Sequence, residues 1–196
     1  MIGKNEIDFI VSTTEGMRFY FFRRQTGDNA ICRYFDDLIG DIKYILRLWV
    51  GKTSVGIPKA TEVQGAFQAF FKDLMRLLIM LKESPVSTKK ERSFSNEVLY
   101  RGKIYRYLGR GFGNSKKQGR IEPKYDGNYA SWSMQRELSN YMASKLYGTK
   151  TLLSAEIEND YGISLKYFNF VQWENEKEIV YPTKKEAVYR VEYIDD

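Results

Sequence analysis

The clearest pattern in the chain is a pair of apolar stripes with helical spacing in its first half. The first stripe predicts a helix that Asp28 or Asn29 can cap and that Gly51 can end. The second predicts a helix that starts at a capping box of Thr61 and Gln64 and closes before a proline. Such stripes are typical of a helical core and say nothing about function. Their residues are Ile31, Phe35, Leu38, Ile39, Ile42, Ile45, Leu46 and Trp49, then Phe67, Phe70, Phe71, Leu74, Leu77, Leu78 and Leu81.

The remaining segments have shorter patterns. Residues 5–24 suggest two short strands around a turn, and residues 86–95 suggest a polar connection. Ser133 can cap a helix that runs to Gly148. Strand-like segments occur at 96–102, 151–158, 166–170, 177–182 and 187–194. The sequence therefore predicts a single α+β domain, residues 1–196, with a helical part at about 25–90 and a strand-rich β core at about 96–194.

Composition narrows the chemistry. The chain has no histidine, which excludes Ser-His-Asp and Cys-His catalysis and zinc sites built on imidazole. Cys32 is the one cysteine, so neither an internal disulfide nor a cysteine zinc cluster is expected. Acid–base chemistry near neutral pH must then use carboxylates, tyrosine or lysine. We expect no metal, and we see neither a membrane-spanning run nor a secretory signal, which favours a cytoplasmic setting.

The positive charge of the chain is concentrated in one segment. Residues 89–124 carry eleven basic residues against three acidic ones, a net +8, whereas the whole chain is +6 and the rest is therefore −2. Such a segment favours an anionic partner, which can be the phosphates of a cofactor, a nucleic acid or an acidic protein. A solvated basic loop explains the same charge.

Three short motifs follow one another in the second half: Tyr-Arg-Gly at 100–102, Ser-Trp-Ser at 131–133, and Glu-Lys-Glu at 176–178 before Ile-Val-Tyr-Pro. In this order, and in strand, turn and strand contexts, they resemble the Arg–Ser–Glu class of mono-ADP-ribosyltransferases. That class includes C3-like exoenzymes, enzymatic subunits of binary toxins and phage-encoded transferases. The resemblance covers about residues 96–194. Trp132 stands where the family usually has threonine, and Pro182 is not followed by the usual glycine.

The resemblance implies an ADP-ribosyltransferase-like β core and NAD as the co-substrate. It gives Glu178 the role of stabilising positive charge on the ribose, and Glu176 that of orienting or deprotonating the acceptor. Glu174 alternates with both, and in an extended chain all three carboxylates would share one face at spacings of roughly 6.6–6.8 Å. Glu174 is expected to be an exposed neighbour, and Trp173 is a candidate contact for the acceptor.

The other site residues that the resemblance implies either bind NAD or hold the catalytic glutamate in position. Ser131 is expected to fix the Glu178 carboxylate, and Ser133 to support the turn beside the cofactor. Arg101, followed by Gly102, is expected to bind the NAD diphosphate, because a guanidinium can donate two parallel hydrogen bonds to phosphate oxygens.

The implied activity is transfer of ADP-ribose from NAD to a macromolecule with release of nicotinamide. A glutamate at the first position of the Glu-x-Glu pair favours a protein arginine as acceptor, whereas the +8 segment leaves RNA or DNA open. Two other functions stay open: a non-catalytic basic nucleic-acid-binding protein and an NAD glycohydrolase. The biological setting can be a phage protein, a toxin with an antitoxin partner, or an effector that acts in the cytoplasm of a host.

Overall fold

The computed structural model describes residues 2–53, 61–108, 128–136, 150–168, 177–182 and 190–194. The chain divides into two compact units, Met1–Val98 and Leu99–Asp196. The described residues of the first unit are mainly helical, and those of the second form a β-sheet, so the predicted α+β class is confirmed. None of the helices in these ranges is long and apolar enough to cross a membrane.

The first helix, α1, spans Lys4–Gln25, and the prediction of two short strands in this segment was wrong. The buried positions of α1 follow the helical repeat, but half of them are polar, so the apolar pattern is incomplete. Phe19 and Phe22 lie on the exposed side, which obscures the repeat further. The buried residues of α1 are Ile10, Thr13, Thr14, Met17, Tyr20 and Arg24.

A short 3₁₀ helix, Ala30–Tyr34, leads into α2, Phe35–Thr53. The apolar stripe predicted here is buried at almost every position. Asp28, one of the two predicted caps, accepts a hydrogen bond on Oδ1 from the backbone N–H of Ala30 at 2.9 Å. The helix does not end at Gly51 but includes that glycine and continues for two more residues.

Helix α3 spans Thr61–Glu83 and contains the second predicted stripe, and Pro85 follows just after its end. Trp49 of α2 contacts the rings of Phe67 and Phe71 on α3 edge-on, with centroids 5.2 and 4.9 Å apart. The two stripes that dominate the sequence therefore meet in the core of the helical unit.

Helix α4, Lys89–Val98, occupies most of the segment predicted to be a polar connection, so that prediction was wrong. A capping box begins the helix: the Glu91 N–H donates to Thr88 Oγ1 at 3.2 Å, and the Thr88 N–H donates to Glu91 Oε2 at 2.5 Å. The pattern Thr-Lys-Lys-Glu was a readable start signal, but the polar composition that follows it hid the helix.

Glu91 also joins α4 to α1 through a buried ion pair. Its Oε1 accepts hydrogen bonds from Arg24 Nε and Tyr20 Oη, each at 2.8 Å, and the Arg24 side chain is fully buried. Burial acts to raise the pKa of Glu91, but hydrogen bonds from Thr88, Tyr20 and Arg24 together hold that pKa below its ordinary value. The carboxylate is therefore a structural group of the helical unit.

The described strands of the second unit form one antiparallel sheet, and β3 is its common partner. Strand β3 pairs with β1 along one edge and with β5 and then β4 along the other. Strand β2 pairs with β4, and its last residue lies opposite Tyr105 of β1, so that β1, β3, β4 and β2 close into a ring. The strands are β1, Leu99–Leu108; β2, Tyr129–Ser133; β3, Lys150–Ser164; β4, Glu178–Pro182; and β5, Arg190–Ile194.

Strand boundaries differ from the prediction at several points, and β1 runs to Leu108, six residues past its predicted end. Residues 96–98 belong to α4, so β1 begins only at Leu99. Strand β3 extends six residues beyond its predicted end, and Lys166–Phe168 form a 3₁₀ turn instead of the predicted strand. Phe168, the last residue of this turn, is buried.

The pairing of β1 with β3 is interrupted by a large bulge. On β1 the register skips Arg101 alone, whereas on β3 it skips residues 158–161 between Ile157 and Gly162. Four residues therefore face one, which bends β3 and changes the direction of the side chains on both strands. The arginine of the Tyr-Arg-Gly motif lies at this irregularity.

Candidate functional site

The centre of the candidate site is a contact between β2 and β4. Ser131 pairs with Val180 and Ser133 pairs with Glu178, so Ser131 and Glu178 are diagonal neighbours on one face of the sheet. The Ser131 hydroxyl donates a hydrogen bond to Glu178 Oε1. Glu178 is 8% exposed, and a carboxylate so deeply buried is unfavourable unless donors reach it. The serine supplies one such donor.

The opposite face of these strands belongs to the apolar core of the second unit. Trp132 of β2 and Ile179 and Tyr181 of β4 are buried there, together with residues of β1 and β3. The Trp132 indole Nε1 donates to the Tyr181 carbonyl at 3.3 Å. Trp132, which stands where the resembled family usually has threonine, is thus a core residue. Because neighbouring residues of a strand point to opposite faces, its burial places Ser131 and Glu178 on the other face of the sheet.

The residue before Glu178 has an unusual backbone. Lys177 has φ 43°, in the left-handed region that a non-glycine residue rarely adopts. Its carbonyl accepts a hydrogen bond from the Met134 N–H at 3.2 Å, beside the end of β2. The chain is therefore not extended at Lys177, immediately before β4. Glu174 and Glu176, the other two glutamates of the alternating set, lie outside the described residues. Sparsely populated backbone conformations of this kind are concentrated at functional sites.

Ser133 is the last residue of β2 and not the cap of an immediate helix. Its hydroxyl oxygen accepts a hydrogen bond from the Gln135 N–H at 3.0 Å, which closes a local turn. Residues 134–136 are not helical, and the rest of the predicted helix lies outside the described residues. Across the sheet, Tyr105, Ser133 and Glu178 occupy neighbouring positions on β1, β2 and β4. Ser133 therefore lies beside Glu178, as a residue supporting this turn would.

Arg101 lies at the bulge between β1 and β3, and its side chain is exposed. Its Nε donates to the Asp160 carbonyl at 3.2 Å, and its guanidinium carbon lies 4.1 Å from the centroid of the Tyr161 ring. Gly102 has φ 132°, and a Cβ there would lie 2.9 Å from Tyr100 Oη, so the position requires glycine. The described contacts of Arg101 are made with β3 and not with the Ser131–Glu178 pair.

Tyr100, the aromatic residue of the Tyr-Arg-Gly motif, makes a hydrogen bond across the β1 side of the bulge. Tyr100 Oη donates to the Lys103 carbonyl at 2.9 Å, across Arg101 and Gly102. Burial raises the pKa of Tyr100, and the negative charge of Glu156 raises it further. Tyr100 is therefore a neutral hydrogen-bond donor at physiological pH, which keeps the backbone around Arg101 in one conformation.

The structure thus brings together two of the predicted site residues, Ser131 and Glu178, and places Ser133 next to them. Glu174, Glu176 and Trp173 lie outside the described residues, as does the glycine- and lysine-rich loop at 109–119.

Tyr161 and the bulge in β3 were missed by the sequence reasoning, because only the shift in register between β1 and β3 brings them to Arg101. The one available signal was an aromatic residue next to an aspartate, just beyond the predicted strand at 151–158.

Comparison of the chain with models of protein families, with curated proteins and with solved structures found no match. Within the described ranges, no group of three or more acidic or cysteine side chains is placed to hold a metal ion. The side chains around Glu178 and Arg101 are therefore the features of the described residues that bear on function.

Proposed function

We propose that the protein is an NAD-dependent mono-ADP-ribosyltransferase. The observation that carries the proposal is the hydrogen bond from Ser131 on β2 to the buried carboxylate of Glu178 on β4. A serine that orients a buried glutamate on the neighbouring strand is the arrangement that the motif order implies. It also keeps the carboxylate largely out of water, where electrostatic interactions are less screened.

The proposed reaction requires a carboxylate next to the ribose of NAD. Cleavage of the bond between nicotinamide and ribose sends the bonding electron pair to the nicotinamide nitrogen and leaves positive charge on the ribose carbon and ring oxygen. In the proposal Glu178 stabilises this charge, and Ser131 keeps its carboxylate in position. The acceptor nucleophile then bonds to the ribose carbon and loses a proton. Glu176 is proposed to orient the acceptor or take that proton, and Trp173 to contact it.

Arg101 is proposed to bind the NAD diphosphate, with Gly102 allowing the backbone to turn beside it. It is exposed and has no carboxylate partner in the described part of the chain, so its charge is available to an anionic ligand. Ser133, next to Glu178, is proposed to support the turn beside the cofactor. These assignments need neither histidine nor a metal ion.

The proposed acceptor is a protein arginine, because a glutamate occupies the first position of the Glu-x-Glu pair. The basic segment at 89–124 supports RNA or DNA as the next choice, and the proposed place of action is a cytoplasm. An antitoxin is a further proposed partner if the protein is a toxin. None of these choices changes the roles proposed for Ser131 and Glu178.

The test is incubation with NAD labelled in its adenylate part, with a cell lysate as the source of acceptor. We expect labelled macromolecules and released nicotinamide from the wild type, and a loss of about 100-fold or more in Glu178→Gln, which keeps shape but removes charge. Glu97→Gln is the matched control, since Glu97 is an exposed glutamate on α4 that accepts a hydrogen bond from Ser93 at 3.0 Å. It is expected to leave the rate unchanged.

The form of the product separates the alternatives. Label that protease removes indicates a protein acceptor, label that nuclease removes indicates a nucleic acid, and mass spectrometry identifies the modified residue. Free ADP-ribose without labelled macromolecules would make the protein an NAD glycohydrolase. If the wild type consumes no NAD and instead binds nucleic acid with an affinity that falls steeply with salt, the proposal is wrong and a binding function replaces it.

A further inference from the structure

The surroundings of Arg101 restrict its guanidinium in two directions. In the plane of the group, Nε donates to the Asp160 backbone carbonyl at 3.2 Å. Against the face of the group lies the Tyr161 ring, 4.1 Å from centroid to guanidinium carbon. Both residues belong to the bulge of β3, so a single irregularity supplies both contacts. The two terminal nitrogens of Arg101 make no hydrogen bond to any residue in the described part of the chain.

Four arginines of the helical unit are held by carboxylates, unlike Arg101. Arg18, Arg23, Arg24 and Arg76 of the helical unit each lie within hydrogen-bond or ion-pair distance of a carboxylate. Arg101 is restrained by an aromatic ring and a carbonyl, neither of which carries a negative charge. Its positive charge therefore stays uncompensated within the described residues.

The acidic side chain nearest in sequence to these contacts is turned elsewhere. Asp160 Oδ1 accepts a hydrogen bond from the Tyr161 backbone N–H at 2.8 Å. This bond stabilises the turn of the bulge, and the backbone carbonyl, not the carboxylate, reaches Arg101. The bulge thereby orients the arginine without neutralising it.

A guanidinium held in this way keeps two terminal nitrogens in a fixed plane, and these nitrogens can donate two parallel hydrogen bonds to oxygens of a phosphate or diphosphate. An arginine that is free to rotate loses side-chain entropy when it binds, whereas a restrained one has already lost part of it.

We infer that Tyr161 is a positioning residue: with the Asp160 carbonyl, it holds Arg101 as a preformed clamp for the diphosphate of a dinucleotide. This inference rests on the proposed function for the identity of the dinucleotide, NAD. The geometry of the guanidinium indicates an oxyanion with two acceptor oxygens, and the proposed function makes that oxyanion a diphosphate. Tyr161 acts through Arg101 and does not contact the reacting atoms.

The test measures dissociation constants by calorimetry for three probes: NAD, ADP-ribose and inorganic pyrophosphate. Tyr161→Phe keeps the ring and should bind all three within about twofold of the wild type. Tyr161→Leu removes the ring and should bind them about 3- to 10-fold more weakly, the range expected for losing a cation–π contact and the restraint it provides. Tyr167→Leu is the matched control, because it removes the same type of side chain at a position outside the bulge, where Tyr167 contacts Phe168 edge-on at 5.2 Å.

A double-mutant cycle separates positioning from a general structural effect. Arg101→Gln alone should weaken ADP-ribose binding about 10- to 100-fold, because it removes a charge-assisted pair of hydrogen bonds. In the Arg101→Gln background, Tyr161→Leu should change the dissociation constant by less than about twofold, since the residue that it orients is gone. If Tyr161→Leu weakens binding equally in both backgrounds, the ring acts through the fold and the inference is overturned.

The outcomes distinguish this inference from the function on which it rests. If NAD binds and Tyr161→Leu binds it as tightly as the wild type, the clamp is wrong while the transferase proposal stands. If pyrophosphate binds in a manner that depends on Tyr161 but NAD does not bind, the clamp stands and the transferase proposal fails. Absence of binding of all three probes to the wild type overturns both.

Discussion

Replacement of Ser131 tests the central contact of the site without assuming any activity. The hydroxyl donates to a carboxylate that is 8% exposed, so the bond is partly buried, and it is charge-assisted when Glu178 is ionised. Hydrogen bonds to charged groups contribute about 1.5–3 kcal/mol to stability, and the burial of Glu178 puts this one in the upper part of that range. We therefore expect Ser131→Ala to lower the free energy of unfolding of the second unit by about 2–3 kcal/mol.

Two variants isolate the hydroxyl from the change in side-chain size. Ser131→Thr keeps the donor, and Ser131→Val has the same shape as threonine but replaces the hydroxyl by a methyl group. The threonine variant should keep most of the stability, and the valine variant should lose it. Ser93→Ala is the matched control for an exposed serine–glutamate bond, and it should cost less than about 0.5 kcal/mol.

The assay is amide hydrogen exchange read by mass spectrometry on peptides from β2 and β4, at several urea concentrations. Peptide resolution follows the second unit separately from the helical unit, so a variant that destabilises the wrong unit is recognised. If Ser131→Thr and Ser131→Val exchange alike, the bond contributes no net stability. The reasoning that makes Ser131 the donor that holds Glu178 would then be refuted.

Three further predictions concern the fold around the site and in the helical unit. Glu91→Gln leaves the buried Arg24 without its counter-charge and should lower the stability of the helical unit by about 3–5 kcal/mol in urea unfolding. Because the pKa of Glu91 lies below its ordinary value, its carboxylate contributes fully to the free energy of unfolding above about pH 4.3, and this contribution is lost as the pH falls further. If the wild type and Glu91→Gln lose stability in parallel between about pH 5 and pH 3, this explanation is contradicted. Gly162→Ala places a Cβ 2.5 Å from an isoleucine methyl and should destabilise the sheet by about 1–3 kcal/mol by thermal unfolding, whereas Gly65→Ala, with open space around it in α3, should be neutral or stabilising. Lys177→Gly should keep or raise stability by up to about 1 kcal/mol, because φ 43° suits glycine, and a loss of more than that would show that the lysine side chain contributes to the site.

The sequence predicted the elements that have a complete apolar repeat. Helices α2 and α3 bury nearly all of their predicted stripe residues. Helix α1 escaped prediction because Thr13, Thr14 and Arg24 occupy buried positions that a hydrophobicity pattern counts as polar. Arg24 is buried only because Glu91 meets it from a helix 67 residues away in the chain, which no local pattern can reveal.

In the candidate site, too, some features could be predicted from the sequence and others could not. The motif order proposed Ser131 and Glu178 as neighbours, and antiparallel pairing of β2 with β4 places them on one face. The backbone at Lys177 and the support of Arg101 by Tyr161 depend on a turn and on a register shift that tertiary packing decides. Sequence periodicity assumes regular strands, so it cannot locate a bulge of this size.

The order in which the ring of strands can close has a consequence for synthesis on the ribosome. The helical unit has all its mutual partners once Val98 has been made, whereas the Ser131–Glu178 contact needs the chain to continue through β4 to Pro182. At typical elongation rates these 84 residues take roughly 4–17 s. For that time a nascent chain has a helical unit that can fold but no assembled Ser131–Glu178 pair. A protein with the proposed activity would therefore stay inert towards NAD until β4 has been synthesised.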